Sequence, residues 1–198
     1  MLGGLRVATV ADAAQLLAIY GPYVLNTTVT FETQVPTEQA FAGRIVGTLA
    51  QFPYLVWESA GEIAGYAYAH RFAERAAYDW AAEASIYLAP AAQGTGVAQC
   101  LYGALIELMQ AMNYAHLYGI ITHPNPRSES FHKSMGFELT AYLPNVGYKM
   151  NRWVDVVYYR LPLCPLPTRP VNVIPFANLP QRLVRRVLMD RSAAVSHE

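Results

Sequence analysis

One stretch of the chain decides the fold, Ala81-Ala82-Glu83-Ala84-Ser85-Ile86-Tyr87-Leu88-Ala89-Pro90, which continues as Ala91-Ala92-Gln93-Gly94-Thr95-Gly96-Val97-Ala98. The alternation from Glu83 to Leu88, with its β-rich end, predicts a strand that Pro90 stops. The residues from Gln93 to Ala98 place two glycines in a turn that opens directly into an apolar-periodic helix. The predicted order is therefore strand, short loop, helix.

The turn between this strand and this helix has the features of an anion site. A glycine-rich turn ahead of a helix leaves several backbone N–H groups unpaired, with the positive end of the helix dipole behind them. Phosphate suits such a site best. An ordinary strand-to-helix turn that uses glycine for its geometry fits the same spacing, because short glycine motifs have many false positives.

The turn resembles the Q/R-x-x-G-x-G/A loop of the GNAT acetyltransferase superfamily, with Ala98 in place of the more frequent second glycine. Further motifs resemble the phosphinothricin N-acetyltransferase branch in order and spacing over residues 4–163, and together they are far more specific than the loop. They are Tyr78-Asp79-Trp80, Glu83, Ser85-Ile86-Tyr87, Asn125, His132, Gly136-Phe137, Gly147-Tyr148-Lys149 and Arg152-Trp153-x-Asp155-Val156.

The resemblance implies an α+β chain with the GNAT fold, a central splayed mixed β-sheet flanked by helices. It implies an acetyl-CoA-dependent N-acetyltransferase that acts on a small amino acid or analogue, by direct attack in a ternary complex. Phosphinothricin, methionine sulfone and methionine sulfoximine are the implied acceptors, and acetyl-CoA is the co-substrate. We expect the acetyltransferase domain over residues 1–163 and a Pro-rich C-terminal arm over residues 164–198.

Two residues are the candidates for catalysis. An amino acid's amine is mostly protonated at neutral pH, and the Glu83 carboxylate is the base expected to take its proton. His132 stands where many GNAT enzymes carry a tyrosine, and imidazole, which titrates near ~6.5, can return a proton to the thiolate. Without the resemblance, Glu83 would read as an exposed strand residue and His132 as a packed or solvated one.

The resemblance also assigns binding roles. The strand end is expected to pair with the pantetheine arm, with the Leu88 amide near the thioester oxygen, while the turn binds the pyrophosphate and Thr95 adds a hydroxyl. The expected cofactor-binding residues are Ile86, Tyr87, Leu88, Gln93, Gly94, Thr95, Gly96, Val97, Ala98, Asn125 and Ser128. The expected acceptor-binding residues are Phe31, Arg71, Arg75, Tyr78 and Tyr148. Phe31 fits a core aromatic equally well, and the loop from Arg71 to Tyr78 fits a solvated loop.

Composition limits the partners. The charged fraction is 14%, below the ~25% usual for soluble domains, which favours a buried interface and a homodimer. The formal net charge is zero, so we expect no nucleic-acid and no membrane partner. Two cysteines and histidines without ligand spacing predict no metal site. No signal peptide or membrane span is visible, which predicts a cytoplasmic protein.

The sequence is also compatible with two other functions. The acceptor could be another amine or a peptide N-terminus, since the loops that choose it are the least determined part. The chain could also be a non-catalytic acyl-CoA-binding module, although the presence of both Glu83 and His132 argues against this.

Three local expectations concern the rest of the chain. Gly21-Pro22 should break or kink the first helix. Residues 145–149 should connect two closing strands, Phe137 to Tyr142 and Arg152 to Leu161. Six of the thirteen prolines fall in residues 161–198, so the arm should be extended with one short amphipathic helix, stable only on a surface of its own domain or of a partner.

Overall fold

The computed structural model describes residues 3–193. Seven strands form one sheet in the order β1-β2-β3-β4-β5-β7-β6. The strands are β1 (Gly3–Val7), β2 (Tyr54–Ser59), β3 (Glu62–Arg71), β4 (Ala81–Leu88), β5 (His116–His123), β6 (Glu138–Lys149) and β7 (Arg152–Pro162). The helices are α1 (Ala13–Asn26), α2 (Glu38–Leu49), α3 (Val97–Ala111), α4 (Pro126–Ser134) and α5 (Gln181–Ala193). The mixed α+β class is the one that the sequence predicts.

The sheet opens in its middle. All neighbouring strands pair antiparallel except β4 and β5, which run parallel and pair only from Ala81–His116 to Glu83–Tyr118. Beyond Glu83 the two strands separate, so the rest of β4 has no strand partner on that side. Backbone N–H and C=O groups that face this gap have no strand partner in β5, so they can bind an extended ligand as a strand would.

A hydrophobic core lies on each face of the sheet. On one face α3 and α5 pack on the sheet, and α3 does so through fully buried residues such as Leu101, Leu105 and Leu108, in keeping with its apolar periodicity. On the other face α1 and α2 cover a cluster of aromatic side chains from β2, β3 and β4. Residues alternate between the faces along β4, so that Ala84 faces α3 while Tyr87 packs against Tyr20 of α1.

The predictions of a break in α1 and of a connector at residues 145–149 were wrong. The helix α1 does not break at Gly21-Pro22 but continues to Asn26, because Pro22 lies on its exposed side, where water can solvate the carbonyl group that loses a partner. Residues 145–149 do not connect two strands but belong to β6, which stays paired with β7 through two register shifts, at Leu139/Ala141 and at Leu143/Gly147.

The C-terminal segment lies on its own domain. Residues 163–175 run without regular structure before a short 3-10 turn (Phe176–Asn178) and α5. Its backbone bonds to the domain at several points, among them Ile174 N–H to Met112 O (2.9 Å) and Trp80 Nε1–H to Val171 O (2.7 Å). The apolar side chains of α5 join the core on the α3 face. The arm therefore completes this core, and the domain division at residue 163 remains a prediction.

We expect Leu188→Ala to lower the stability of the whole domain. Leu188 is buried against the α3 core, whereas the neighbouring Met189 is 71% exposed. Truncating a buried leucine costs about 2–5 kcal/mol, which lowers the melting temperature by about 4–20 °C in a domain of this size. Calorimetry should show this loss in Leu188→Ala and almost none in Met189→Ala. Equal melting temperatures would mean that α5 does not contribute to the core.

Among residues 3–193, no helix combines the length and the apolar character that crossing a membrane requires.

Candidate active site

The gap between β4 and β5 leads into a groove of about 300 Å³, here called the cofactor groove. It is lined by Tyr23, Val29, Ile86, Leu88, Gln93, Gly94, Ala98, Gln99, Asn125, Arg127, Ser128 and Phe131. Seven of these, namely Ile86, Leu88, Gln93, Gly94, Ala98, Asn125 and Ser128, are among the residues predicted from the sequence. The groove thus runs from the open edge of β4 to the first turns of α3 and α4.

The turn before α3 has the conformation that an anion site needs. Gly94 and Gly96 have φ angles of 80° and 84°, which residues other than glycine rarely adopt. Gly96 is the N-cap residue of α3, so the first N–H groups of that helix lie directly behind the turn. The Thr95 hydroxyl donates to Ala92 O (2.7 Å), and it therefore braces the turn rather than offering its proton to a phosphate. The side chain of Val97 is buried in the core.

Three side chains join the two sides of this groove. The Tyr23 hydroxyl donates to Leu88 O (2.7 Å) and accepts from Gln93 Nε2 (3.3 Å). Arg127, in the first turn of α4, donates to the Gln93 side chain. Sequence reasoning missed Tyr23 and Arg127, although the position of Arg127 next to the Asn125 cap was a usable signal. Arg127 adds a positive charge to the end of the groove where the turn lies.

Glu83 stands where β4 and β5 stop pairing. On the other side of β4 it lies opposite His70 of β3, and His70 Nε2 is 3.6 Å from Glu83 Oε1. The Glu83 side chain is 21% exposed and that of His70 is 38% exposed. Burial lowers the pKa of His70, but the Glu83 carboxylate and the Arg71 carbonyl group outweigh burial, and the net pKa is raised above 6.5.

His132 lies on the other side of the gap. It lines a small chamber of about 50 Å³ together with Ser85 and Ile86 of β4. His132 Nδ1 is 2.8 Å from Ser128 O, and its Nε2 is 2.9 Å from the Tyr102 hydroxyl. Because a carbonyl oxygen only accepts, Nδ1 carries the proton, and Nε2 accepts from Tyr102. Burial lowers the pKa of His132, partly offset by Ser128 O, so the imidazole is neutral at pH 7.

The predicted acceptor residues do not all come together. Phe31, in the loop between α1 and α2, is 42% exposed and packs so closely on Gly147 that a Cβ there would lie 2.2 Å from its ring. Tyr148 points to the opposite side of β6, where its ring centroid lies 5.4 Å from that of Trp153. Tyr148 and Phe31 therefore do not come together. The alternation of the strand places Lys149 on the Phe31 side instead, a residue that sequence reasoning did not select.

Lys149 is buried and fixes the loop that carries Phe31. Its Nζ donates to Thr30 O (2.7 Å), and burial lowers its pKa while the charge of Glu32 partly restores it. The Thr30 hydroxyl also hydrogen-bonds the Tyr20 hydroxyl (2.7 Å). The loop is therefore held from β6 on one side and from α1 on the other, which fixes Phe31 beside β6.

The other three predicted residues lie at the end of β3, which Arg71 closes, and in the segment after it, which carries Arg75 and Tyr78. Arg71 is engaged by Asp79 (3.2 Å) and by Glu74 O (3.1 Å). Arg75 is exposed, and Tyr78 packs on Phe72 with ring centroids 6.0 Å apart. Of the two guanidinium groups, Arg75 is thus the better placed to hold an acid group of an acceptor.

Comparison with known proteins agrees with this geometry. The family model of the acetyltransferase (GNAT) domain matches residues 5–158. The chain belongs to the GNAT acetyltransferase family. Acetyl-CoA is the co-substrate of this family, and the groove along β4 offers the free strand edge and the phosphate turn that such a ligand needs.

Individual relatives have narrower names. The phosphinothricin N-acetyltransferase of Streptomyces viridochromogenes is 34% identical over 174 residues, 86% of this chain and 95% of the relative. The L-methionine sulfoximine/L-methionine sulfone acetyltransferase of Salmonella typhimurium is 32% identical over 160 residues, 80% and 94% of the two chains. A solved GNAT phosphinothricin acetyltransferase of Sinorhizobium meliloti, in complex with AcCoA, has a TM-score of 0.83 and 34% identity, covering 89% of this chain and 97% of its own.

Within the part of this GNAT domain that the structure describes, no group of three or more His, Cys, Asp or Glu side chains could hold a metal ion.

Proposed function

We propose that this protein is an acetyl-CoA-dependent N-acetyltransferase for a small amino acid or analogue of the phosphinothricin, methionine sulfone or methionine sulfoximine type. One observation carries the proposal. The pairing of β4 with β5 ends at Glu83, so a half-buried carboxylate stands at the mouth of the gap that His132 lines from the other side. The names of the relatives support this class of acceptor.

The proposed reaction is a direct attack within a ternary complex. The turn from Gln93 to Ala98 holds the pyrophosphate, and the open edge of β4 binds the pantetheine arm. Glu83 takes a proton from the acceptor's ammonium group, and the amine then attacks the thioester carbon. As the tetrahedral intermediate collapses, the C–S bond breaks, the nitrogen loses a second proton and the departing sulfur gains one. The Leu88 N–H stabilises the oxyanion, a contribution worth about 10²–10³ in rate. Arg75, Tyr78 and Phe31 are the residues that we propose to position the acceptor.

His132 is the proposed donor to the departing thiolate. Because its pKa is lowered, the imidazolium form of His132 gives up its proton readily, but only a small fraction of the protein carries it at neutral pH. The Tyr102 hydroxyl of α3 is hydrogen-bonded to Nε2 and fixes the orientation of the His132 ring. In this proposal Nε2 takes up a proton only during the reaction and passes it to the sulfur, while Nδ1–H stays on Ser128 O.

A thiol-release assay with acetyl-CoA tests the proposed function. The panel contains phosphinothricin, methionine sulfone, methionine sulfoximine, the ordinary amino acids and a peptide with a free N-terminus. We expect thiol release with the small amino acid analogues and little with the peptide. A preference for the peptide or for another amine would contradict the proposed class of acceptor. Tight acetyl-CoA binding without any thiol release would indicate a non-catalytic binding module.

We further propose that the enzyme is a cytoplasmic homodimer that needs neither nucleic acid nor a membrane. The strand β6 forms one edge of the sheet and is exposed along most of its length. The exposed apolar side chains on β6 and around its turn to β7 are Leu139, Tyr142, Val146, Tyr148, Met150 and Trp153. A long apolar edge of this kind is a liability in a monomer and an interface in a dimer.

Light scattering should give the mass of a dimer for the natural protein and the mass of a monomer for the double variant Tyr142→Glu/Trp153→Glu. Both side chains are more than half exposed, so the charges disturb an interface rather than the core. Met189→Glu, at an equally exposed apolar residue on α5, is the control and should stay dimeric. A natural protein with the mass of a monomer would contradict the proposed dimer.

A further inference from the structure

His70 faces oxygen atoms with both of its ring nitrogens. Its Nδ1 is 3.2 Å from Arg71 O, and its Nε2 is 3.6 Å from Glu83 Oε1. A carbonyl oxygen only accepts, so Nδ1 carries a proton. A neutral ring would then turn the lone pair of Nε2 toward the carboxylate, which is unfavourable unless a proton lies between the two groups.

The surroundings of His70 leave Glu83 as its only charged neighbour at contact distance among the described residues. A cavity of about 210 Å³ adjoins the ring on its other side, lined by Tyr20, Phe41, Arg44, Thr48, Tyr54, Tyr66, Tyr68 and His70. Both terminal nitrogens of Arg44 bind the Glu32 carboxylate, so the charge of Arg44 is already paired. Burial raises the pKa of Tyr54, Tyr66 and Tyr68, and these hydroxyls stay neutral.

The register of the sheet builds this pair. His70 and Glu83 are direct partners in the antiparallel ladder of β3 and β4, where facing side chains on one surface lie within contact distance. Glu83 is the more enclosed member at 21% exposure, and an acceptor above it would enclose it further. His70 is the more exposed member and borders the cavity, so a proton on Glu83 has a route to solvent through the imidazole ring.

We propose that His70 acts through Glu83 as a proton-sharing positioning residue, which holds the carboxylate in place and passes the acceptor's proton on to solvent. The inference rests on the proposed function. The N–H bond of the ammonium breaks as an O–H bond forms on Glu83. The two side chains then close the 3.6 Å between Nε2 and Oε1 to hydrogen-bond distance, and the O–H bond breaks as an N–H bond forms on Nε2 of a neutral His70. Nε2 later releases this proton to water. Nδ1–H stays on Arg71 O throughout.

This pair gives the enzyme a defined pH dependence. Only the form with a neutral His70 and an ionised Glu83 can take up a proton from the acceptor and pass it on. Because the net pKa of His70 is raised above 6.5, the imidazolium persists to higher pH than usual. The value of kcat/KM should rise with pH through this raised pKa, and in His70→Gln the rising limb should move to lower pH.

Two variants separate a relay from a simple support. His70→Gln keeps a side chain that can hydrogen-bond Glu83 but cannot titrate, and His70→Ala removes the ring. We expect both to lower kcat about tenfold or more, with the KM for acetyl-CoA unchanged. Added imidazole should restore the kcat of His70→Ala in proportion to its concentration, because the exposed ring leaves an accessible space, and it should not restore Glu83→Gln.

The outcomes are distinct. Normal turnover in His70→Gln with slow turnover in His70→Ala would show that His70 only supports the carboxylate, and this would overturn the relay. Normal turnover and an unchanged pH profile in both variants would overturn the whole pair. A natural protein that releases no thiol with any amine would instead overturn the proposed function, a result that the first assay gives before any His70 variant is made.

Discussion

Glu83→Gln should lower kcat about 10²–10⁴-fold, the range typical of a lost general base. The amide has nearly the same shape as the carboxylate but cannot accept the ammonium proton, so the acceptor must arrive already deprotonated. The remaining rate should therefore rise with pH as free amine accumulates. The KM for acetyl-CoA should stay unchanged, since Glu83 is not among the residues that line the cofactor groove.

The measurement is initial-rate thiol release between pH 6 and pH 9.5, values chosen to bracket the amine's ordinary pKa of about 8–10. Glu38→Gln is the matched control, because Glu38 is an exposed glutamate on α2, outside the proposed dimer edge β6. Its rate should match that of the natural protein. Near-normal turnover of Glu83→Gln at pH 7 would contradict the assignment of the base.

The sequence predicts the elements around this base well, and the physical reason is local. Alternation, a stopping proline and a glycine turn determine the path of the chain from Glu83 to Ala98 without help from distant residues. The N-cap of α4 is equally local, since the Asn125 side chain accepts from Ser128 N–H three residues later. The roles of Glu83 and His132 came from the resemblance to a family, and they remain proposals.

Residues that depend on register could not be predicted in the same way. His70 meets Glu83 only because the antiparallel register of β3 and β4 pairs them, and the irregular segment of residues 72–80, not a tight turn, joins these two strands. Periodicity gives the face of a residue but not its partner on the next strand. The lone histidine therefore carried no signal in the sequence.

The presence of Lys149 rather than Tyr148 on the side of β6 that faces Phe31 has a similar cause. A register shift between Leu143 and Gly147 changes which residues of β6 face Phe31, and one position of slip moves every side chain to the other face. The spacing of the motif cannot show such a bulge. The lowered pKa of His132 also depends on three-dimensional packing, since the burial that causes it comes from distant parts of the chain.

Gly96→Val should abolish measurable binding of coenzyme A. Gly96 has a φ of 84° as the N-cap residue of α3, and a residue with a side chain adopts this conformation at a cost of about 1–2 kcal/mol, more when it is β-branched. The turn would relieve this strain by rotating its peptide groups, which turns their N–H groups away from the phosphate. Because several N–H groups act together, we expect an affinity loss of at least about 100-fold.

Calorimetry with coenzyme A measures this loss, and circular dichroism with a melting curve shows whether the variant is folded. Thr95→Ala is the comparison within the same turn. It removes only the hydroxyl that braces the turn on Ala92 O, so it should weaken binding by at most about 1–1.5 kcal/mol. Glycine at residue 96 thus matters through backbone direction, and threonine at residue 95 through one hydrogen bond. A folded Gly96→Val that binds coenzyme A normally would make the turn structural and place the pyrophosphate elsewhere.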